Sequence, residues 1–281
     1  MKNTYKIIDS HAHVNFNAYK DDAEAVLERA FAAGIGVINV GSQLSTSQRA
    51  VDMANSHESG IWAVVGVHPL HLRPQTLSYQ DDDELEPVEI KTNGEEPDYA
   101  QYAAMAEEAK VVAIGEVGLD YHHFEDGDDV EALKAKQKEV LIKFIEIANQ
   151  ADKPVALHCW DGYSDLLEIL VKHPVKRAGV VHSFIGGYKT AKKFIELGYV
   201  IGLNGVITYA DSFDRLVREV DLEHMILETD CPYLSPAPNK GERNEPTGVI
   251  AVAIKIAAIK NISVDEVVAI TTNNSKTLFR I

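Results

Sequence analysis

The sequence predicts an α/β fold: a (β/α)8 barrel of the TIM type, built as a single domain over residues 1–281 with a C-terminal helical appendage. Three observations predict it. Short β-branched runs, eight in all, alternate with amphipathic helical patterns along the chain. The runs are almost continuously apolar, as strands covered on both faces must be. The Gly-rich pyrophosphate turn that an open, doubly wound sheet carries after its first strand is missing, which favours the closed barrel.

The predicted strands are residues 6–9, 36–40, 61–67, 111–115, 155–157, 179–181, 199–202 and 225–228. Between the first two, Ala23, Val26, Leu27, Ala30 and Phe31 share one helical face, and Gly34 follows as a C-terminal cap. Leu133, Val140, Leu141, Phe144, Ile145 and Ala148 mark a long helix before the fifth strand. Leu166, Leu167 and Leu170 form the next stripe, and Phe194, Ile195 and Leu197 another. Residues 249–258 form a last apolar helix and residues 264–279 the appendage. Residues 73–99 contain Pro74, Pro87, Pro97 and an Asn93-Gly94 turn, and read as an extended βα loop inserted after the third strand.

Composition narrows the class. Apolar residues at 46% and charged residues at 25% exclude a disordered chain, a collagen-like repeat and a disulfide scaffold. Two cysteines, Cys159 and Cys231, suit a reducing compartment. The first thirty residues hold Asp9, Asp21 and Asp22 and no apolar core of a signal peptide. No run reaches the roughly 18 apolar residues of a membrane span. A cytoplasmic protein without a membrane partner is expected. The net charge of −16 argues against coating nucleic acid by counterion release. Half of it lies in residues 81–98, with nine acids and one base, read as a solvated loop. A local positive focus or bound metal can still recruit an anionic substrate.

In such barrels the chemistry sits at the C-terminal ends of the strands. Strand one ends in Asp9-Ser10-His11-Ala12-His13; two histidines at i and i+2 of an extended chain face the same way and can reach one metal. Later strands end in His68-Pro69, Glu116-Val117-Gly118-Leu119-Asp120, His158-Cys159, His182-Ser183 and Glu228-Thr229-Asp230-Cys231-Pro232. Each alone reads as a hydrogen-bonded loop residue. Gathered on one rim, that many ionisable groups need a cation. Four histidines (His11, His13, His158 and His182) and two carboxylates (Glu116 and Asp230) suit a two-metal site. Cys159 and Cys231 read as small buried hydrophobes, His122 and His123 as surface residues, and His57, His71, His173 and His224 are given no role.

The ordered string from Asp9 through His13, Gly66-Val67-His68-Pro69, Gly115 through Asp120, Leu157-His158, Val181 through Phe184 and Glu228 through Leu234 resembles the TatD family of metal-dependent deoxyribonucleases. Arg243-Asn244-Glu245-Pro246 and the terminal Thr272-Asn273 through Leu278-Phe279 resemble it too, so the likeness runs from residue 7 to residue 279. The resemblance implies an amidohydrolase-superfamily barrel with a divalent metal pair. His11, His13, Glu116 and Asp230 would hold the first ion, and Glu116 would bridge to a second completed by His158 and His182. His68 would contact substrate, helped by Arg243 and Asn244. Zn, Mn, Co or Ni suits such donors, with Mg less favoured by so many histidines. The sequence departs from the family at Trp160, where Arg is frequent, and at Ser183, where Cys is usual.

The expected activity is metal-dependent phosphodiester hydrolysis of DNA ends, of the 3′–5′ exonuclease type, with Glu116 and Asp230 as catalytic carboxylates. Hydrolysis of an ester or amide, on an aminoacyl-nucleic acid or a small molecule, uses the same chemistry and is the competing expectation. A non-catalytic binding protein is disfavoured because all six expected ligands are present.

Overall fold

The computed structural model describes residues 5–79, 88–209 and 211–281. Eight parallel strands form one sheet: β1 (Ile7–Ala12), β2 (Ile35–Val40), β3 (Ile61–Val65), β6 (Val111–Asp120), β7 (Val155–Trp160), β8 (Gly179–Val181), β9 (Val200–Leu203) and β10 (Met225–Leu227), hydrogen-bonded in that order. A parallel bridge between Ala12 and Cys231 closes the sheet into a barrel. The predicted fold class is therefore the observed one.

The connecting helices cover the outside. They are α1 (Ala23–Ala32), α2 (Leu44–Asn55), α3 (Tyr99–Ala106), α4 (Val130–Gln150), α5 (Tyr163–Lys172), α6 (Tyr188–Glu196), α7 (Asp214–Glu219) and α8 (Val249–Lys260). Alternation along each strand sorts the core in two. Ile8, Ile38, Val64, Val112, Ala156, Val180 and Ile226 fill the barrel, while Val26, Leu27, Leu141, Phe144, Val252 and Ile256 pack between sheet and helices. Gly34 stands one residue past the C-cap Ala33 of α1 at φ +76, the left-handed geometry in which only glycine is unstrained, and turns the chain into β2. The appendage α9 (Val264–Phe279) ties down the N-terminal ends of β1 and β10: Thr272 Oγ1 donates to Lys6 O at 3.0 Å, and Asn274 Nδ2 to Met225 O at 2.8 Å.

The insertion differs from expectation. It carries an antiparallel pair, β4 (Pro74–Tyr79) with β5 (Val88–Asn93), and α3 follows directly. Of the acidic run, residues 81–87 lie outside the described residues. Arg73 fastens this insertion to the loop after β6, donating to His123 O at 2.8 Å and pairing with Asp128. Among the described residues no single helix is long and apolar enough to cross a membrane.

Candidate metal centre

Two register shifts set the site. Between the pairs Asp9–Val37 and Ala12–Asn39, β1 advances three residues while β2 advances two. Between Ile114–Val155 and Val117–Leu157, β6 does the same against β7. Each extra residue is a bulge that re-aims side chains, one beside His11 and the other beside Glu116. Strand β6 was expected to end at residue 115; it runs on to Asp120, so Glu116 is held inside the sheet and not on a loop.

Glu116, 4% exposed, stands at the centre. Its Oε2 is 3.5 Å from His11 Nε2 and 4.0 Å from His13 Nε2. Its Oε1 is 3.0 Å from His158 Nδ1, 3.4 Å from His68 Nε2 and 3.6 Å from His182 Nε2. Asp230, at the end of the segment after β10, places Oδ1 at 3.2 Å from His13 Nε2, 3.7 Å from His182 Nε2 and 3.8 Å from His11 Nε2. The rings of His11 and His182 stack at 3.5 Å. Three groups, His11–His182–Asp230, His11–His13–Glu116 and His68–Glu116–His158, each bring donor atoms within 4.8 Å of one another.

The outer atoms of these side chains are anchored in ways that set which nitrogen faces inward. His13 Nδ1 is 2.9 Å from Val40 O, which can only accept, so Nε2 keeps its lone pair for the centre. His158 is reversed: Nε2 lies 3.1 Å from Asp120 Oδ2, leaving Nδ1 toward Glu116. His182 Nδ1 lies 3.0 Å from Glu228 Oε1, and Nε2 faces in. His11 Nε2 is buried with no hydrogen-bond partner among the described residues, an orphan that a cation would satisfy. Nitrogen and carboxylate donors of this kind fit a divalent transition metal. His68 does not fit that role. Its Nδ1 accepts from Leu70 N–H at 3.1 Å, so in the neutral ring the proton sits on Nε2, which faces Glu116 as a donor.

Electrostatics follow from this packing. Burial alone would raise the Glu116 carboxyl, but His68, His11, His158 and His182 around it hold it well below the usual carboxylate range. Asp230 is likewise held low, with burial outweighed by His182, His13 and His11. Burial opposes protonation of His158 and His182, yet their carboxylate neighbours raise them to about 9 and about 10. Burial and the neighbouring His158 push His68 down to about 3.

All six expected ligands, and His68, are thus brought together. Arg243 and Asn244 have partners of their own outside this cluster. The Arg243 guanidinium pairs with Asp22 at 2.6 Å and lies 4.7 Å over the Tyr19 ring. Asn244 is buried and braces the loop after Asp230, donating to Tyr233 O at 2.9 Å and Thr229 O at 3.2 Å while its carbonyl accepts the Tyr19 hydroxyl. The polar atoms of Asn244 are engaged within the fold, whereas the Arg243 side chain, held by Asp22 and Glu245, is 39% exposed. His123 also differs from a surface residue: its Nδ1 is 2.9 Å from the buried Asp120, while His122 pairs with exposed Asp161. His71, given no role, sits with its ring 6.5 Å from that of His68, and its buried Nδ1 has no hydrogen-bond partner among the described residues. Trp160 lies nearly parallel to His158 and His123, at 6.3 and 5.2 Å, as a packed aromatic. Cys159 and Cys231 are buried free thiols, both pushed up to about 12 by burial.

The residues that sequence reasoning passed over are the anchors. Asp120 and Glu228 stood in quoted strand ends but carried no assigned role. Asp9 accepts from Thr229 Oγ1 at 2.6 Å and Thr229 N at 2.9 Å. Their signal was present: a carboxylate inside an otherwise apolar strand end requires a buried donor.

Fold and donor set define a class, the metal-dependent hydrolases built on a parallel barrel. Within it, the chain belongs to the family described as TatD related DNase, whose model matches residues 8–280. It is 33% identical over 279 residues to the uncharacterized metal-dependent hydrolase YabD of Bacillus subtilis, covering 98% of this chain and 99% of that one. It is 28% identical to the putative deoxyribonuclease tatdn3 of Danio rerio, covering 97% and 96% of the two chains. The crystal structure of the TatD homologue YjjV from Escherichia coli superposes with a TM-score of 0.85 at 29% identity, covering 99% of both chains.

Proposed function

We propose that this protein is a metal-dependent phosphodiesterase that removes nucleotides from DNA ends, of the 3′–5′ exonuclease type, using two divalent ions. The observation that carries the reading is the division of Glu116. Oε2 faces His11 and His13, and Oε1 faces His158 and His182, so one carboxylate is shared by two donor sets. His11, His13 and Asp230 would complete the first set, and His158 and His182 the second. Bound there, divalent ions supply Lewis acidity and lower the pKa of water toward roughly 7. Zn, Mn, Co, Ni and Mg are the candidates.

The chain's own groups then divide the work. Asp230, whose side chain is 16% exposed, would take a proton from the attacking water and return it to the leaving oxygen. His68 Nε2–H, which faces Glu116 Oε1 at 3.4 Å, would turn its hydrogen bond to an oxygen of a phosphoryl group bound at the centre. Asp120 and Glu228 hold His158 and His182 in position. The family description and the name of the Danio rerio relative support DNA as substrate. The second reading, hydrolysis of an ester or amide, is favoured by one observation: an aromatic residue, Trp160, and not a cation stands beside His158.

The deciding experiment strips the protein of metal, restores Mg, Mn or Zn, and offers single-stranded DNA, bis-p-nitrophenyl phosphate and a small carboxylic ester, with Glu116→Ala as control. Release of nucleotides from DNA ends, lost in Glu116→Ala, is expected. Ester cleavage with intact DNA would move the substrate to the second reading, and no metal-dependent turnover would defeat both.

A further inference from the structure

The loops that follow β8 and β9 leave a groove of about 380 Å³ between them. Tyr188 and Lys189 contribute from the start of α6, Phe213 from the residue before α7 and Arg215 from its first turn. Both loops leave C-terminal strand ends, so the groove opens on the same rim as His182 and Asp230. Ile185, which also lines it, is 37% exposed and only three residues beyond His182. Three residues span at most roughly 10 Å, which equals the rise of about three stacked nucleotides.

We infer that this groove is a subsite for the single-stranded DNA that leads into the metal centre. The inference rests on the phosphodiesterase reading and names where its substrate lies. A single strand is held by cations along its backbone and aromatic planes against its bases. The groove offers one of each from either wall: Lys189 with Tyr188, and Arg215 with Phe213. In a chain of net charge −16, an exposed lysine with no ion pair among the described residues is a local positive focus. Arg215 meets Glu219 through Nε at 2.8 Å. The nearby acids Asp211 and Asp214 are drawn toward Lys255 of α8, at 3.7 and 3.4 Å. Bis-p-nitrophenyl phosphate is too small to bridge from the centre to this groove, so the two substrates separate the subsite from the chemistry.

The test compares the metal-loaded protein with its Lys189→Ala/Arg215→Ala double variant on a single-stranded oligonucleotide of about 12 nucleotides and on bis-p-nitrophenyl phosphate. On the oligonucleotide, kcat/KM should fall roughly tenfold or more, and its log–log dependence on salt should flatten by about 1.4, for two lost phosphate contacts. Hydrolysis of bis-p-nitrophenyl phosphate should not change. Equal rates on the oligonucleotide, or an equal fall on both substrates, would overturn the subsite. Where the unaltered protein hydrolyses the small diester but not DNA, the nuclease reading fails by itself. Anisotropy of a labelled oligonucleotide then decides the groove: weaker binding to the double variant supports it, and equal or absent binding overturns it.

Discussion

Asp120→Asn is the sharpest probe of how the centre is assembled. Asp120 Oδ1 accepts from the backbone N–H groups of His122 and His123 at 3.1 and 3.0 Å, and Oδ2 lies 3.1 Å from His158 Nε2. Asparagine has nearly the same shape but only one acceptor oxygen. If that oxygen stays beneath the two backbone donors, the new NH2 faces His158 Nε2 and drives the imidazole proton to Nδ1, the atom 3.0 Å from Glu116 Oε1. A donor nitrogen is then lost from the centre. Losing a partner behind a ligand typically weakens metal binding by about 10–100-fold, or about 1.4–2.7 kcal/mol. Calorimetric titration of Zn or Mn into chelator-stripped protein reads this directly, and a thermal melt of the same sample shows whether the fold is kept. An affinity within about twofold of the unaltered protein, with an unchanged melt, would refute the assignment of His158 Nδ1 as the donor.

Two further outcomes follow from the same geometry. His158 and His182, raised to about 9 and about 10, carry protons at neutral pH when no cation is bound. Metal binding must release those protons, so apparent affinity should rise between about pH 7 and pH 9, and titrations in buffers of different ionisation heat should report proton release. Raised folded-state values also mean that their contribution to stability is full below the unfolded value of about 6.5 and fades as pH climbs through 9 and 10. The metal-free protein should therefore melt lower at about pH 9.5 than at about pH 6.5, and a flat profile would contradict the pairing. In Gly202→Ala, the new Cβ would stand 2.5 Å from Glu228 Oε2 and 2.8 Å from its Cδ, both fully buried. Overpacking of this kind costs about 1–3 kcal/mol in denaturant unfolding, and a variant as stable as the parent would show that Glu228 has room to move.

The sequence showed the barrel because its strands are nearly continuous apolar runs, and it showed the candidate ligands because a histidine or carboxylate at the end of such a run is chemically conspicuous. The misses have physical causes. Gly115 and Gly118 look like the end of β6, yet they let the strand bulge and continue to Asp120. The β4–β5 pair lies in an acidic, proline-bearing stretch that reads as a loop by composition, although Val88-Glu89-Ile90-Lys91-Thr92 alternates as a strand does. Helix α2 follows Leu44 with Ser, Thr, Ser and Gln, and its buried face pairs Thr46 and Ser47 with Ala50, Val51 and Ala54, so its apolar stripe is shorter than those of α1 and α4. Arg243 resembled a substrate contact by its place in a motif; only the folded chain shows Asp22 waiting for it across more than two hundred residues. A motif reports that a residue is needed, not which atoms it meets.

The location of the centre also bears on how the barrel closes. Strands β1 and β10 do not pair along their lengths; they are joined where β1 meets the segment after β10. That seam consists of Asp230 N–H to His11 O and His13 N–H to Cys231 O, both 2.8 Å, with Asp9 accepting from the backbone and hydroxyl of Thr229. The residues that close the seam are the proposed ligands or their immediate neighbours. Burial raises Asp9, and only hydrogen bonds, chiefly from Thr229, make it tolerable there. Closing the barrel and assembling the centre are therefore one event. A cation that binds only the closed form stabilises the whole fold by mass action, about 4.1 kcal/mol at a thousandfold excess over Kd. Removing it should loosen first the seam between β1 and β10, and hydrogen exchange at the amides of His13 and Asp230 is where that loosening would be seen.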